Sequence, residues 1–277
     1  MNTAKLITKS YECYDFKPIY LLKIDGKPTS VKRSVAPYRR PWHMIRHYPY
    51  QTLGGADHGW LNAKHHFSFA SYQDPKKMSF GELLVINDDV IQPQTGFDTH
   101  PHRDMEIITY VRRGAISHKD SRGNKGRTTA GNVQVMSAGT GISHSEFNLE
   151  DKETNIFQIW IKPKSTGIEP RWDAAEFPKT PSAGGLPLLV SGDGTAPLSI
   201  HQDARIYAGT LASESTLTHA ITGQAYILIS EGEVEVDGIV AGRGDGLAIA
   251  GQTAVTLKAA TDSEVLVIEV PGLVNAR

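Results

Sequence analysis

One cysteine, Cys13, is all the thiol that this 277-residue chain carries. An intramolecular disulfide is excluded, thiolate metal ligation is essentially excluded, and the composition fits a reducing compartment. No apolar run approaches the roughly 20 residues of a membrane-spanning helix. Charged or polar residues interrupt the N-terminus throughout, so the apolar core of a signal peptide is missing. The expectation is a cytoplasmic protein with no membrane partner. Net charge is -1, so nothing global suggests direct nucleic-acid binding or an anionic surface as partner. Turn formers are abundant: Gly 26 and Pro 15. They punctuate short runs rich in Val, Ile, Thr and Tyr, the pattern of an all-β sandwich or barrel. A chain of this length buries about three quarters of its unfolded surface, as one large or two modest domains.

Among what is present, Thr99 to Asn148 stands out. It opens with His100-Pro101-His102 and closes with His144-Ser145-Glu146. In an extended strand, residues i and i+2 share a face with Cα atoms roughly 7 Å apart, so each pair can converge on one point. Two such pairs on facing strands would assemble three imidazoles and one carboxylate. That donor set suits Fe(II), Mn(II), Ni(II), Cu(II) or Zn(II), with one or two positions open in the octahedral cases. A closed structural zinc site more often uses Cys. Period-two counting also places Glu106 on the face of His100 and His102, which makes it a second candidate carboxylate. Asp104 falls on that face too and reads as a loop or rim residue.

The spacing Gly96-x3-His100-x-His102-x3-Glu106-x7-Gly114 resembles the first cupin motif, and Gly141-x2-His144-x3-Asn148 resembles the second. HPHRDMEIITYV followed by MSAGTGISHSEFN is similar to the pirin family, in particular to its bacterial quercetinase-like members. The similarity runs from about Ala56 to Val270, with ADHGWLNAKHHFSFASY and VINDDVI as further specific blocks. The resemblance implies an all-β bicupin, with two cupin-type jelly-roll barrels and a short N-terminal extension. It implies one mononuclear metal, usually described as iron in pirins, with His100, His102, His144 and Glu146 as ligands. General cupins use a Glu at the spacing of Glu106; the pirin pattern favours Glu146, which is also the candidate catalytic base. The implied activity is that of a metal-dependent dioxygenase resembling quercetin 2,3-dioxygenase. Such an enzyme opens a flavonol ring with dioxygen and releases carbon monoxide, so a flavonol-like aromatic and dioxygen are the expected partners. Some pirins resemble transcriptional co-regulators, and the alternative is a non-enzymatic redox-sensing module with a protein partner.

The rest of the chain divides as residues 1–50, an extension; 51–175, a cupin domain with the metal site; and 176–277, a degenerate cupin domain. The extension holds ten basic residues from Lys5 to Arg46 and aromatics from Tyr11 to Tyr50. Scattered basic residues fit an arm whose aromatics pack on the barrel or on a second subunit better than one that grips a polyanion. Ile19 to Ile24 before Asp25-Gly26 reads as a strand entering a turn. His58, His65 and His66 sit where Phe67 and Phe69 alternate with Ser68 and Ala70, so structural or supporting roles are expected of them. Asp88-Asp89 reads as a turn, and Pro163 to Gly185 as the crossing between domains. Beyond it, His219-Ala220-Ile221, Tyr226 to Ile229 and Gly232 echo His100-Pro101-His102, Ile107 to Val111 and Gly114. The ligand residues are not repeated, so one metal per chain is expected.

Overall fold

The computed structural model describes residues 44–177, 179–180 and 184–272. The strand expected at Ile19 to Ile24 and most of the aromatic arm lie outside the described residues. Among those described, no helix is long and apolar enough to cross a membrane.

Strand Glu106–Arg113 builds two buried faces at once. Ile108 and Tyr110 point to one side, Ile107 and Val111 to the other, and all four are buried. Thr154–Ile161 repeats this with Phe157, Ile159 and Ile161 against Ile156 and Trp160. Period-two side chains require a packed layer on each side of such a strand.

Both strands belong to a seven-stranded sheet. Its order is Arg171–Ala175, Val133–Ser137, Glu106–Arg113, Thr154–Ile161, Leu83–Ile91, Leu61–His65 and Gly54–Asp57. A second seven-stranded sheet runs Met44–Tyr48, Gly246–Ala250, Gln224–Glu231, Ser263–Val270, Arg205–Leu211, Leu188–Ser191 and Leu198–Ser199. The two meet in a common core of Ile108, Phe157 and Ile159 from one and Ile206, Leu228 and Leu266 from the other. Each such side chain contributes about 1.5–3 kcal/mol by leaving water.

A four-stranded sheet covers each outer face. Thr95–His102, Ile142–Asn148, Ala115–Asp120 and Lys125–Thr129 cover the first. Thr216–Ala220, Ala254–Ala259, Glu233–Val236 and Ile239–Gly242 cover the second. The protein is all-β, with two cupin-type barrels packed through their large sheets.

Three segments differ from their sequence-based expectation. Met44–Tyr48, counted with the extension, is an edge strand of the second barrel, paired with Gly246–Ala250. Arg171–Ala175, inside the first cupin domain's bounds but also counted in the crossing, is no linker and pairs with Val133–Ser137 at the edge of the first. Asp88 and Asp89 do not turn the chain but lie buried inside the continuous strand Leu83–Ile91. Asp88 is tolerated there because Arg112 Nη1 lies 2.7 Å away, with both side chains almost fully covered. Arg112 also reaches the second barrel, donating from Nε to Ser230 Oγ at 3.0 Å, and lies over the Phe157 ring at 4.5 Å.

Candidate metal centre

Strand Ile142–Asn148 alternates strictly, with Ile142, His144, Glu146 and Asn148 buried and Ser143, Ser145 and Phe147 half-buried. Across one neighbour, Ile142 faces His102 and His144 faces His100; across the other, His144 faces Asp120 and Glu146 faces His118. This register brings three imidazoles together. Ring centroids are 4.8 Å apart for His100 and His102, 4.5 Å for His100 and His144, and 5.0 Å for His102 and His144. A candidate ligand atom from each lies within 4.8 Å of the others, and Glu146 forms a second such group with His144 and His118. The pairing slips between His144 and Glu146, the kind of irregularity that re-aims a side chain.

The electrostatics suit a metal. Burial, followed by the charge of His100, pushes His102 down to about 3. Burial lowers His100 and His144 as well. All three are therefore neutral near pH 7, the form that ligates. His100 Nδ1 lies 2.7 Å from the Asp98 carbonyl oxygen, so that nitrogen carries the proton and Nε2 is left with its lone pair. His144 Nε2 is buried with no hydrogen-bond partner among the described residues. Leaving a buried polar atom unsatisfied costs about 1–3 kcal/mol, and a cation at that position would remove the cost. The residues present fit a divalent transition metal.

Glu146 is held from three strands. Its Oε1 accepts from Gln134 Nε2 at 2.6 Å and Thr109 Oγ1 at 3.1 Å, and its Oε2 accepts from Gln158 Nε2 at 2.8 Å. Burial raises its carboxyl to about 7, while the bonds from Thr109, Gln158 and Gln134 work the other way. Glu106, the rival carboxylate, lies on the sheet face that carries Ile108 and Tyr110, which packs against the second barrel. Its Oε2 accepts from Ser137 Oγ at 2.7 Å. Period-two counting misplaces it because Arg103 to Met105 leave the strand, with Asp104 at φ +47. Asp104 is a loop residue, as expected, and accepts from the Gly167 N–H at 2.7 Å.

His65 and His66 keep structural roles, His65 against Asn87 at 2.8 Å and His66 against the Tyr226 hydroxyl at 3.0 Å. Ser145, between the two candidate ligands, points away from them and makes a long contact of 3.5 Å to the Lys119 carbonyl. His118 was passed over, although His118-Lys119-Asp120 is a third i, i+2 pair of ligand-type residues. Asp89, expected in a turn, is instead a buried strand residue. Its Oδ1 is buried with no partner among the described residues, and burial, Asp88 and Glu146 together raise its carboxyl well above the usual range.

The second barrel shows what replaces such a site. Val255 faces His219 as His144 faces His100. The cross-strand row Gln134, Thr109, Gln158 becomes Leu247, Ile227, Val267. These apolar residues fill the second barrel's core, and His219 Nε2 pairs instead with Glu269 at 3.0 Å. The expected stoichiometry is one metal per chain.

Two cupin barrels, one with a cluster of histidines in its interior and one filled with aliphatic side chains, define a bicupin with a candidate metal centre in its first barrel. The Pirin family model matches residues 46–161, and the model described as the quercetinase C-terminal cupin domain matches residues 188–270. The chain belongs to the pirin family. It is 52% identical over 230 residues to a pirin-like protein of Caulobacter vibrioides, covering 82% of this chain and 99% of that one. It is 45% identical over 222 residues to the quercetin 2,3-dioxygenase of Escherichia coli K12, covering 79% and 95%. Among solved structures, the bacterial pirin YhhW of Escherichia coli in complex with nickel(II) superposes with a TM-score of 0.78 at 43% identity. That match covers 83% of this chain and 100% of the other.

The Glu146 carboxyl predicts how metal binding responds to pH. Its folded value of about 7 lies above the ordinary carboxylate value of 4.5. Without metal, the folded state resists ionisation. This group's stability contribution is therefore intact below pH 4.5 and is lost as pH rises toward 7. A metal that needs the carboxylate must displace its proton below 7. Affinity should then climb by up to about tenfold per pH unit from pH 5 to 7 and level off above. Glu146→Gln should flatten that slope and weaken binding far more than Glu106→Gln. Chelator competition across pH measures both; an empty site in Glu106→Gln alone would reverse the assignment.

Proposed function

We propose that this pirin is a metal-dependent dioxygenase that opens a flavonol of the quercetin type and releases carbon monoxide. His100, His102, His144 and Glu146 would hold one divalent metal, with iron(II) preferred and nickel(II), manganese(II), copper(II) and zinc(II) compatible with the donors. The observation that carries the metal site is the buried His144 Nε2, without a hydrogen-bond partner among the described residues, beside two further neutral imidazoles. The name of the Escherichia coli K12 relative supports the reaction, and the nickel(II) of the solved relative supports the metal site. When bound, the metal would supply Lewis acidity toward the adjacent 3-hydroxyl and 4-carbonyl oxygens of a flavonol and a redox-active contact for dioxygen.

The chain's own groups do the rest. Glu146, buried and held by three donors, is the candidate base for the flavonol hydroxyl proton. Thr109, Gln134 and Gln158 stabilise its anion before transfer and keep the carboxyl in place afterwards. Trp160, edge-on to His102 at 5.0 Å, and Phe97, 6.5 Å from His100, give the cluster aromatic neighbours. Such surfaces suit a flat aromatic substrate. The reaction is tested by carbon monoxide release and label from dioxygen in the ring-opened product, against a free-metal control. Bleaching of quercetin is insufficient, because free metal also drives its autoxidation. Carbon monoxide no higher than the control, with iron, manganese, nickel and copper forms alike, would overturn the proposal in favour of a non-enzymatic regulatory or redox-sensing role.

A further inference from the structure

One buried imidazole of the cluster has no role in the proposed ligand set. His118 lies on Ala115–Asp120 opposite Glu146, and its side chain is fully covered, as is that of Asp120. Its Nε2 is 3.0 Å from Asp120 Oδ2, and its Nδ1 is 3.4 Å from His144 Nδ1. Its ring stacks on Trp172 with centroids 4.9 Å apart and planes at 11°.

With Asp120 ionised and His118 neutral, these contacts leave one consistent placement of protons. An ionised carboxylate only accepts, so His118 Nε2 carries the proton that meets Asp120. In a neutral ring, His118 Nδ1 is then an acceptor. It can bond His144 Nδ1 only if that atom carries a proton. His144 Nε2 is thereby left with its lone pair, and Nε2 is the buried atom with no partner among the described residues. Asp120 is itself fixed. Its Oδ1 accepts from the backbone N–H of Arg122 at 2.9 Å and of Asn124 at 3.0 Å, and its Oδ2 accepts from Asn124 Nδ2 at 2.9 Å.

We propose that Asp120 and His118 form a hydrogen-bonded relay that orients the metal ligand His144 and fixes its tautomer, so that Nε2 faces the metal. His118 is a positioning residue in this arrangement and not a ligand. The inference rests on His144 being a ligand. Metal-binding imidazoles generally donate their second N–H to an outer partner, and loss of that partner costs about 10- to 100-fold in metal affinity. The competing arrangement binds the metal through His118 Nδ1 and uses the same Asp120 bond, but it adds a fourth imidazole.

The test uses Ni(II) as probe on the full chain, with affinity from chelator competition, imidazole count from X-ray absorption, and thermal unfolding of the metal-free protein. His118→Phe preserves the stack on Trp172 and removes the acceptor. Asp120→Asn keeps a carbonyl oxygen for the turn and replaces the acceptor facing His118 with an amide donor. His118→Gln restores both an acceptor and a donor. The expected result is one Ni(II) with three imidazoles in the parent protein and a 10- to 100-fold loss of affinity in His118→Phe and Asp120→Asn. Three imidazoles should remain in each, and His118→Gln should recover most of the loss. If His118→Phe unfolds, the contrast between Asp120→Asn and His118→Gln decides, and equal affinities there would overturn the relay. Four imidazoles in the parent falling to three in His118→Phe would also overturn it, by making His118 a ligand. Failure of the underlying site reading looks different: Ni(II) does not bind the parent, or binds His144→Ala as tightly.

Discussion

His102→Ala is expected to empty the metal site and to abolish dioxygen consumption with quercetin. His102 is one of three imidazoles drawn together by register, with centroid separations of 4.8 and 5.0 Å to its neighbours. Its burial already depresses its pKa to about 3, so the native protein carries it neutral and ready to bind. Alanine leaves two imidazoles and a carboxylate that is neutral over much of the acidic range. Every 1.4 kcal/mol of binding lost is tenfold in affinity, and a lost ligand exceeds the 10- to 100-fold typical of a lost outer partner. Metal content after gel filtration and oxygen-electrode traces give the two readouts, with near-ultraviolet circular dichroism confirming that the fold persists. Full metal occupancy in His102→Ala would remove it from the ligand set.

Asp88→Ala is expected to destabilise the protein by about 3–5 kcal/mol, the cost of breaking a buried ion pair from one side. The Arg112 guanidinium would stay in the interface between barrels, held by Ser230 and Phe157, losing the buried carboxylate 2.7 Å from Nη1 and keeping only the exposed Glu231 at 3.3 Å from Nη2. The double change Asp88→Ala with Arg112→Met should recover much of the loss, because an apolar replacement of a whole buried pair is often neutral or stabilising. Guanidinium unfolding of the metal-free proteins measures both. A double variant no more stable than Asp88→Ala would show that the loss of Arg112's buried partner is not the cause.

The two candidate pairs were legible in the sequence because strand period places their members on one face: His100 with His102, and His144 with Glu146. Counting on to Glu106 failed because the loop at Arg103 to Met105 breaks the period. Asp88-Asp89 read as a turn because the partners that let Asp88 stay buried, Arg112 and Asn155, come from other strands. The row of Thr109, Gln134 and Gln158 around Glu146 was invisible for the same reason. Its members are united by cross-strand register, not by spacing along the chain. Met44–Tyr48 joins a strand about two hundred residues later, a pairing that no local pattern announces. The second barrel's loss of ligands was legible, since no His or Glu stands where His144 and Glu146 would recur. The aliphatic row that fills it became visible only once the strands were paired.

The most direct test of the single metal centre is anomalous diffraction at the absorption edge of the metal carried by protein from its native host. The expected result is one peak per chain, bounded by His100, His102, His144 and Glu146. A peak in the second barrel, or one held by His118, His144 and Glu146 without His100 and His102, would contradict it.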